Sequence, residues 1–165
     1  MKPKTVGRTD GGLTVLPPVD ACGLWADSII LTLDGERRVS DLRSGDRIIT
    51  RDSGVANLTG ITRHVRRTRA VRIMAGSLGH TRPERDVTLP AGQPLLVRDW
   101  RAQALFGRDQ ALVPVARLVD GEFIALEQER DMKLYMLEFA VPHILYVDGL
   151  ELASNPDMRL GVRAA

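Results

Sequence analysis

Two stretches of this chain repeat one phrase 76 residues apart: Val39-Ser-Asp-Leu42-Arg-Ser-Gly45-Asp46-Arg-Ile48 and Val115-Ala-Arg-Leu118-Val-Asp-Gly121-Glu122-Phe-Ile124. Val, Leu, Gly, an acid and Ile fall in register. Each copy reads as a short helical turn, a Gly turn and a strand, Arg47–Thr50 in one and Phe123–Leu126 in the other. The Gly supplies the positive φ that turns the chain into that strand. Two copies of one supersecondary unit imply approximate two-fold symmetry within one compact fold.

The rest of the chain agrees with an all-β class. Short β-branched apolar runs are cut by turns: Ser28–Thr32, Arg47–Thr50, Leu58–Thr62, Ala70–Met74, Asp86–Leu89, Pro94–Val97, Phe123–Leu126, Lys133–Phe139 and His143–Val147. Asp34-Gly35 and Asp148-Gly149 are signals of type I′ hairpin turns. Only Arg101–Phe106 and Val115–Leu118 read as helical, and Gly76–Arg85 reads as a long loop. Residues 1–21 form an irregular leader, 22–155 the domain and 156–165 a tail.

Charge and cysteine content exclude several functions. A lone Cys22 rules out an internal disulfide framework and a multi-cysteine metal site. No apolar run approaches the roughly 20 residues that span a bilayer, and the start lacks the apolar core of a secretory signal, so a cytoplasmic location without membrane contact is expected. The basic stretch Arg63-His64-Val-Arg66-Arg67-Thr-Arg69-Ala-Val-Arg72 reads as a strand with one solvated face. With aromatic residues at 4%, bases find few stacking partners, so nucleic-acid binding by a basic β-barrel is the least favoured reading.

Cys22 precedes Ser28-Ile-Ile-Leu-Thr-Leu-Asp34-Gly35, and the first copy of the repeat follows it. Together they resemble the opening block of the Hint superfamily, the self-processing domain shared by inteins and the Hedgehog carboxy-terminal region. Val87-Thr-Leu-Pro90-Ala-Gly-Gln93-Pro94-Leu-Leu-Val97 is similar to that family's second block, and Tyr135–Asn155 resembles its closing blocks. The phrases Arg98-Asp-Trp100-Arg-Ala and Leu112–Gly121 look most like a bacterial Hint subfamily. The resemblance implies a pseudo-two-fold, horseshoe-like all-β fold with one or two short helical turns. It also implies acyl transfer within the chain, without a cofactor or metal. A Cys thiolate attacks the preceding carbonyl, here that of Ala21, and converts the amide into a thioester. In active members a Thr and a His of the second block help the amine leave, and a closing-block His assists later steps.

The catalytic set implied by the resemblance is Cys22, Gln93, His143 and Asn155, and it is degenerate. Pro90 and Gln93 stand in the slots of the second block's Thr and His. A Gln amide has no titrating proton to give. Cys22 lies one residue further from Ser28 than the family spacing, which puts Gly23 in the nucleophile's slot unless a bulge restores register. The terminal Asn that cyclises in inteins is displaced: the matching slots hold Ala153 and Ser154, with Asn155 one residue later, and His143 alone stands where an active member has it. Ser28 and Asp46 read as structural, and no spacing ties His64 or His80 to another ligand. The leading expectation is a domain impaired in self-cleavage and kept as a binding or structural module. The alternative is an active one whose substrate is its own Ala21–Cys22 bond. No sequence feature names a protein partner.

Overall fold

The computed structural model describes residues 21–79 and 81–156. Eleven strands are present among them: β1 (Ile29–Thr32), β2 (Gly35–Arg38), β3 (Arg47–Thr50), β4 (Gly54–Asn57), β5 (Gly60–Ile73), β6 (Val87–Pro90), β7 (Pro94–Val97), β8 (Ala111–Pro114), β9 (Ile124–Glu138), β10 (Ile144–Val147) and β11 (Leu150–Ala153). One helix, α1 (Trp100–Phe106), and two 3-10 turns, Val39–Asp41 and Val115–Leu118, complete the described chain. One sheet runs β2-β1-β3-β10-β11-β7-β8 with β4 beside β3; the second runs β6-β5-β9. His80 and most of the leader and tail lie outside the described residues.

The repeat reports the architecture because its apolar positions are core. Val39, Leu42 and Ile48, with their counterparts Val115, Leu118 and Ile124, are all buried. Gly45 and Gly121 take φ of 99° and 82°, in the region open to glycine. The symmetry extends to strands the repeat does not name. The hairpins β1–β2 and β7–β8 are four-rung antiparallel ladders, and each feeds a 3-10 turn. Behind them, the Val39 N–H donates to Ser28 O and the Val115 N–H to Gln93 O, both at 2.9 Å. The tight turns 25–28 and 90–93 also match: the Ser28 N–H meets Trp25 O at 3.2 Å, and the Gln93 N–H meets Pro90 O at 3.0 Å. Ser28 and Gln93 therefore hold the same station in the two halves.

Two expected strand pairs proved to be single long strands. Of the expected runs, 60–62 and 70–73 belong to β5, and 124–126 and 133–138 to β9. The Arg-rich residues 63–69 already read as strand, whereas residues 127–132 of β9 fell in neither expected run; each strand supplies the other's ladder from Gly60↔Glu138 to Ile73↔Ile124. Cross-strand charges reinforce it: Arg67 lies 3.3 Å from Asp131 and 3.5 Å from Glu129, and Arg72 lies 3.5 Å from Glu127. Two of the five arginines of this stretch, Arg67 and Arg72, thus meet carboxylates of β9. The single solvated face expected for residues 65–73 holds only from Thr68 onward. Val65 is exposed, on the face of the ribbon that it shares with Lys133.

Of the two expected type I′ turns, Asp148-Gly149 is one, with φ of 52° and 80° between Val147 and Leu150. At Asp34-Gly35 only the glycine has positive φ. There Thr32 pairs with Gly35 itself, so the loop is Leu33-Asp34, and Thr32 Oγ1 receives the Asp34 N–H at 3.1 Å. The side-chain bond selects a different turn from the dipeptide signal. Among the described residues no helix is long and apolar enough to cross a membrane.

Candidate functional site

Residue 22 enters the fold through an edge contact with β9. The Leu24 N–H donates to Tyr135 O at 2.9 Å and the Tyr135 N–H to Leu24 O at 2.8 Å. Gly23, with φ of 145°, turns the chain just before this bridge. A Cβ there would stand 2.8 Å from Leu134 Cβ, so the approach to β9 requires glycine. With that turn the Cys22 thiol points inward: the residue is buried, and Sγ lies 3.3 Å from Gln93 Oε1.

Gln93 is held at all its polar corners. Its Oε1 accepts from the Cys22 thiol and, at 3.1 Å, from the Gly23 N–H. Its Nε2 donates to Pro94 O at 3.0 Å and to Ala153 O at 2.9 Å. Two donors on one side and two carbonyls on the other fix the orientation of the amide. The oxygen faces the sulfur, and both amide hydrogens are committed to backbone. Pro90, in the turn before it, contributes only its carbonyl, to the Gln93 N–H.

The peptide ahead of the thiol is also gripped. Ala21 O accepts the Gly92 N–H at 3.0 Å, and the Ala21 N–H reaches Thr68 Oγ1 at 3.3 Å. A backbone N–H on this carbonyl oxygen is placed to stabilise the negative charge that nucleophilic attack would develop there.

His143, also buried, is placed by β10 and the turn after β3. Its Nδ1 lies 3.1 Å from Asp52 Oδ2 and 3.3 Å from Ser53 Oγ, and its ring stands edge-on to Phe139 with centroids 5.5 Å apart. Asp52 Oδ1 takes the Ile144 N–H at 3.0 Å, so the same carboxylate fixes backbone and ring. Ser154 closes the other side: Oγ accepts the His143 N–H at 3.0 Å and the Ser154 N–H donates to His143 O at 2.9 Å. Asn155 follows as a half-buried bend residue that has a bonded partner of its own. Gln93 thus joins Cys22 directly and touches β11 at Ala153, whereas the His143 ring is engaged by Asp52 and Ser53.

Asp52, Ser53, Thr68 and Gly92 were missed in the sequence. Asp52 and Ser53 carried only a turn signal, Thr68 sat in an Arg-rich strand, and Gly92 acts through its backbone. Ser28 and Asp46 are structural, as expected: Ser28 is buried at the station matching Gln93, and Asp46 Oδ2 receives the Arg43 N–H at 2.8 Å. His64 is half-buried on β5, opposite Leu134. No group of three or more His, Cys, Asp or Glu among the described residues is arranged to hold a metal ion.

Beside the Ser28 station an open groove of about 260 Å³ is lined by Trp25, Ser28, Arg85 and Asp148, among others. Asp148 Oδ1 takes the Ile29 N–H at 3.1 Å, and its own N–H donates to Ile29 O at 2.8 Å, stapling the β10–β11 hairpin to β1. Burial pushes its carboxyl above the ordinary range, although the Ile29 N–H, Arg85 and Ser28 favour the charged form.

A family described as the Hint domain matches residues 22–157. Among solved structures, a bacterial intein-like domain from Clostridium thermocellum aligns with a TM-score of 0.54 and 14% identity, over 82% of this chain and 99% of that one. The TvoVMA intein aligns with a TM-score of 0.53 and 14% identity, over 81% and 97%. At such identity these likenesses show the fold alone. No curated protein matches the chain.

Proposed function

We propose, from the premise that this chain belongs to the Hint domain family, that it holds its own Ala21–Cys22 junction in a self-processing site yet keeps the peptide bond closed, serving as a binding or structural module. One observation carries this reading: Gln93 presents only an acceptor to the thiol, while both its amide hydrogens are spent on Pro94 O and Ala153 O.

The required step is an N-to-S acyl shift. Sγ forms a bond to the Ala21 carbonyl carbon, the bond from that carbon to the Cys22 nitrogen breaks, and the nitrogen leaves as an amine. In net terms one proton moves from sulfur to nitrogen. The Gly92 N–H on Ala21 O favours the tetrahedral stage. The proton transfer needs a group that accepts from sulfur and gives to nitrogen. A Gln amide does neither at ordinary pH, and losing such a group costs about a hundred- to ten-thousand-fold in rate. In this reading His143, bonded to Asp52 and Ser53, supports the closing turn and Asn155 takes no part in cyclisation.

A second reading, slow self-cleavage by thioester formation and hydrolysis, is favoured by the carbonyl contact at Gly92. Intact mass separates the two. A closed junction keeps the purified chain at 18.2 kDa through prolonged incubation with dithiothreitol or hydroxylamine. Release of residues 1–21 that disappears in Cys22→Ala establishes the second reading. A cytoplasmic location is part of the proposal, since a lone thiol stays reduced there; fractionation of cells expressing the intact chain tests it.

A further inference from the structure

The residue ahead of Cys22 is bound on three sides, by groups outside the catalytic set inherited from the family. We infer that Thr68 and the Gly92 amide form a two-point backbone clamp that selects a small, non-proline residue at position 21, with Thr68 as its positioning residue. The inference rests on the junction-holding reading above for its purpose, but its geometry stands without any cleavage.

Thr68 is buried and sits where the β5–β9 ladder changes register. Thr68 pairs with Arg130 and Ala70 with Glu127, so two residues of β9 oppose Arg69 alone. Such a bulge re-aims the side chains beside it. The Thr68 hydroxyl donates to Arg69 O at 3.1 Å, which leaves its lone pairs to accept the Ala21 N–H at 3.3 Å. Arg69 O also receives the Ala91 N–H at 3.0 Å, and the next amide, Gly92, donates to Ala21 O at 3.0 Å. The bulge and the turn after β6 are therefore locked together, and residue 21 is held between them at both of its backbone polar groups. Proline at 21 would lack the N–H that Thr68 accepts. The third side is apolar: half-buried Ala21 packs on the small cluster of Ala70, Met132 and Leu134, a contact that a longer side chain would have to reshape. With Pro90 in the slot of the second block's Thr, the hydroxyl at this junction comes instead from β5.

Residue-resolved amide exchange in the full chain carrying Cys22→Ala tests the clamp with the junction intact, whatever the wild type's activity. Adding Thr68→Val should speed exchange at Ala21 about tenfold, the worth of one hydrogen bond, while β10 and β11 amides keep their protection. Thr68→Ser, which keeps the hydroxyl, should restore it. Ala21→Leu should speed exchange at Gly92, and Ala21→Gly should leave it slow. An Ala21 amide that exchanges equally fast with Thr, Ser or Val at 68, or a Gly92 amide indifferent to Leu at 21, overturns the inference. So does a Thr68→Val effect spread evenly over β10 and β11, which marks a merely structural residue. Self-cleavage of the wild type would refute the closed-junction reading and leave these exchange results standing.

Discussion

Gln93 Nε2 lies 2.9 Å from the carbonyl oxygen of Ala153, and this bond, with the one to Pro94 O, decides which end of the amide faces Cys22. The closing hairpin thereby sets the chemistry offered to the thiol. The Gln93 side chain is a buried three-way tie between the junction, the start of β7 and β11.

Gln93→Leu keeps the volume and removes the tie. The Gly23 N–H and the carbonyls of Pro94 and Ala153 lose a partner in a buried place. Leaving such groups unpaired costs about 1–3 kcal/mol each where no relaxation occurs, so a loss of about 2–4 kcal/mol is expected in urea unfolding. A loss below about 0.5 kcal/mol, the range of ordinary surface changes, would mean the amide is not tied as described.

Gly23→Ala addresses the close approach to β9 that precedes the Leu24 bridge. A φ of 145° strains any other residue, and the new Cβ would meet Leu134 Cβ at 2.8 Å. Strain of this kind costs about 1–3 kcal/mol, and overpacking adds to it. The variant should lower the urea midpoint and speed exchange at Leu24 and Tyr135, whose amides form the bridge. Unchanged protection at both would show that the approach does not require glycine.

Asp148 gives the fold a pH signature of definite sign. Burial raises its folded pKa above that of the unfolded chain, so the native state holds this proton to higher pH. Its contribution to stability is full below the unfolded pKa, falls as pH rises toward the folded pKa, and is flat above it. Asn keeps an oxygen for the Ile29 N–H and tolerates the positive φ of 52°. The stability of wild type relative to Asp148→Asn should therefore decline as pH rises from about 4, near the ordinary Asp value, until the folded carboxyl ionises. A relative stability that climbs over that interval contradicts the assignment.

What could be read in the sequence was what the core repeats. Val39, Leu42 and Ile48 and their partners 76 residues on are buried for the same reason, so the duplicated turn and strand were visible from spacing. Cys22 and Gln93 were legible as a pair only through family blocks, and the structure brings them to 3.3 Å. The Arg-rich centre of β5 read as strand, but the continuity of β9 was hidden, because its charged residues stay extended by pairing across the ribbon. Thr68 and Asp52 were hidden for a related reason. Their bonds close over 47 and 91 residues, and nothing in their local composition marks them. The turn at Asp34 failed differently, by a side-chain bond from Thr32 that outweighs the dipeptide's preference.

The account turns on the proton that position 93 does not move. The direct measurement is the rate of hydroxylamine-dependent cleavage at Ala21–Cys22, read by intact mass, in wild type, Gln93→His and the double variant Gln93→His with Cys22→Ala. With the thiol and carbonyl already placed, the His variant should cleave at least about a hundredfold faster than wild type, and the double variant should stay whole. Equal rates in wild type and the His variant, whether both fast or both nil, would contradict it.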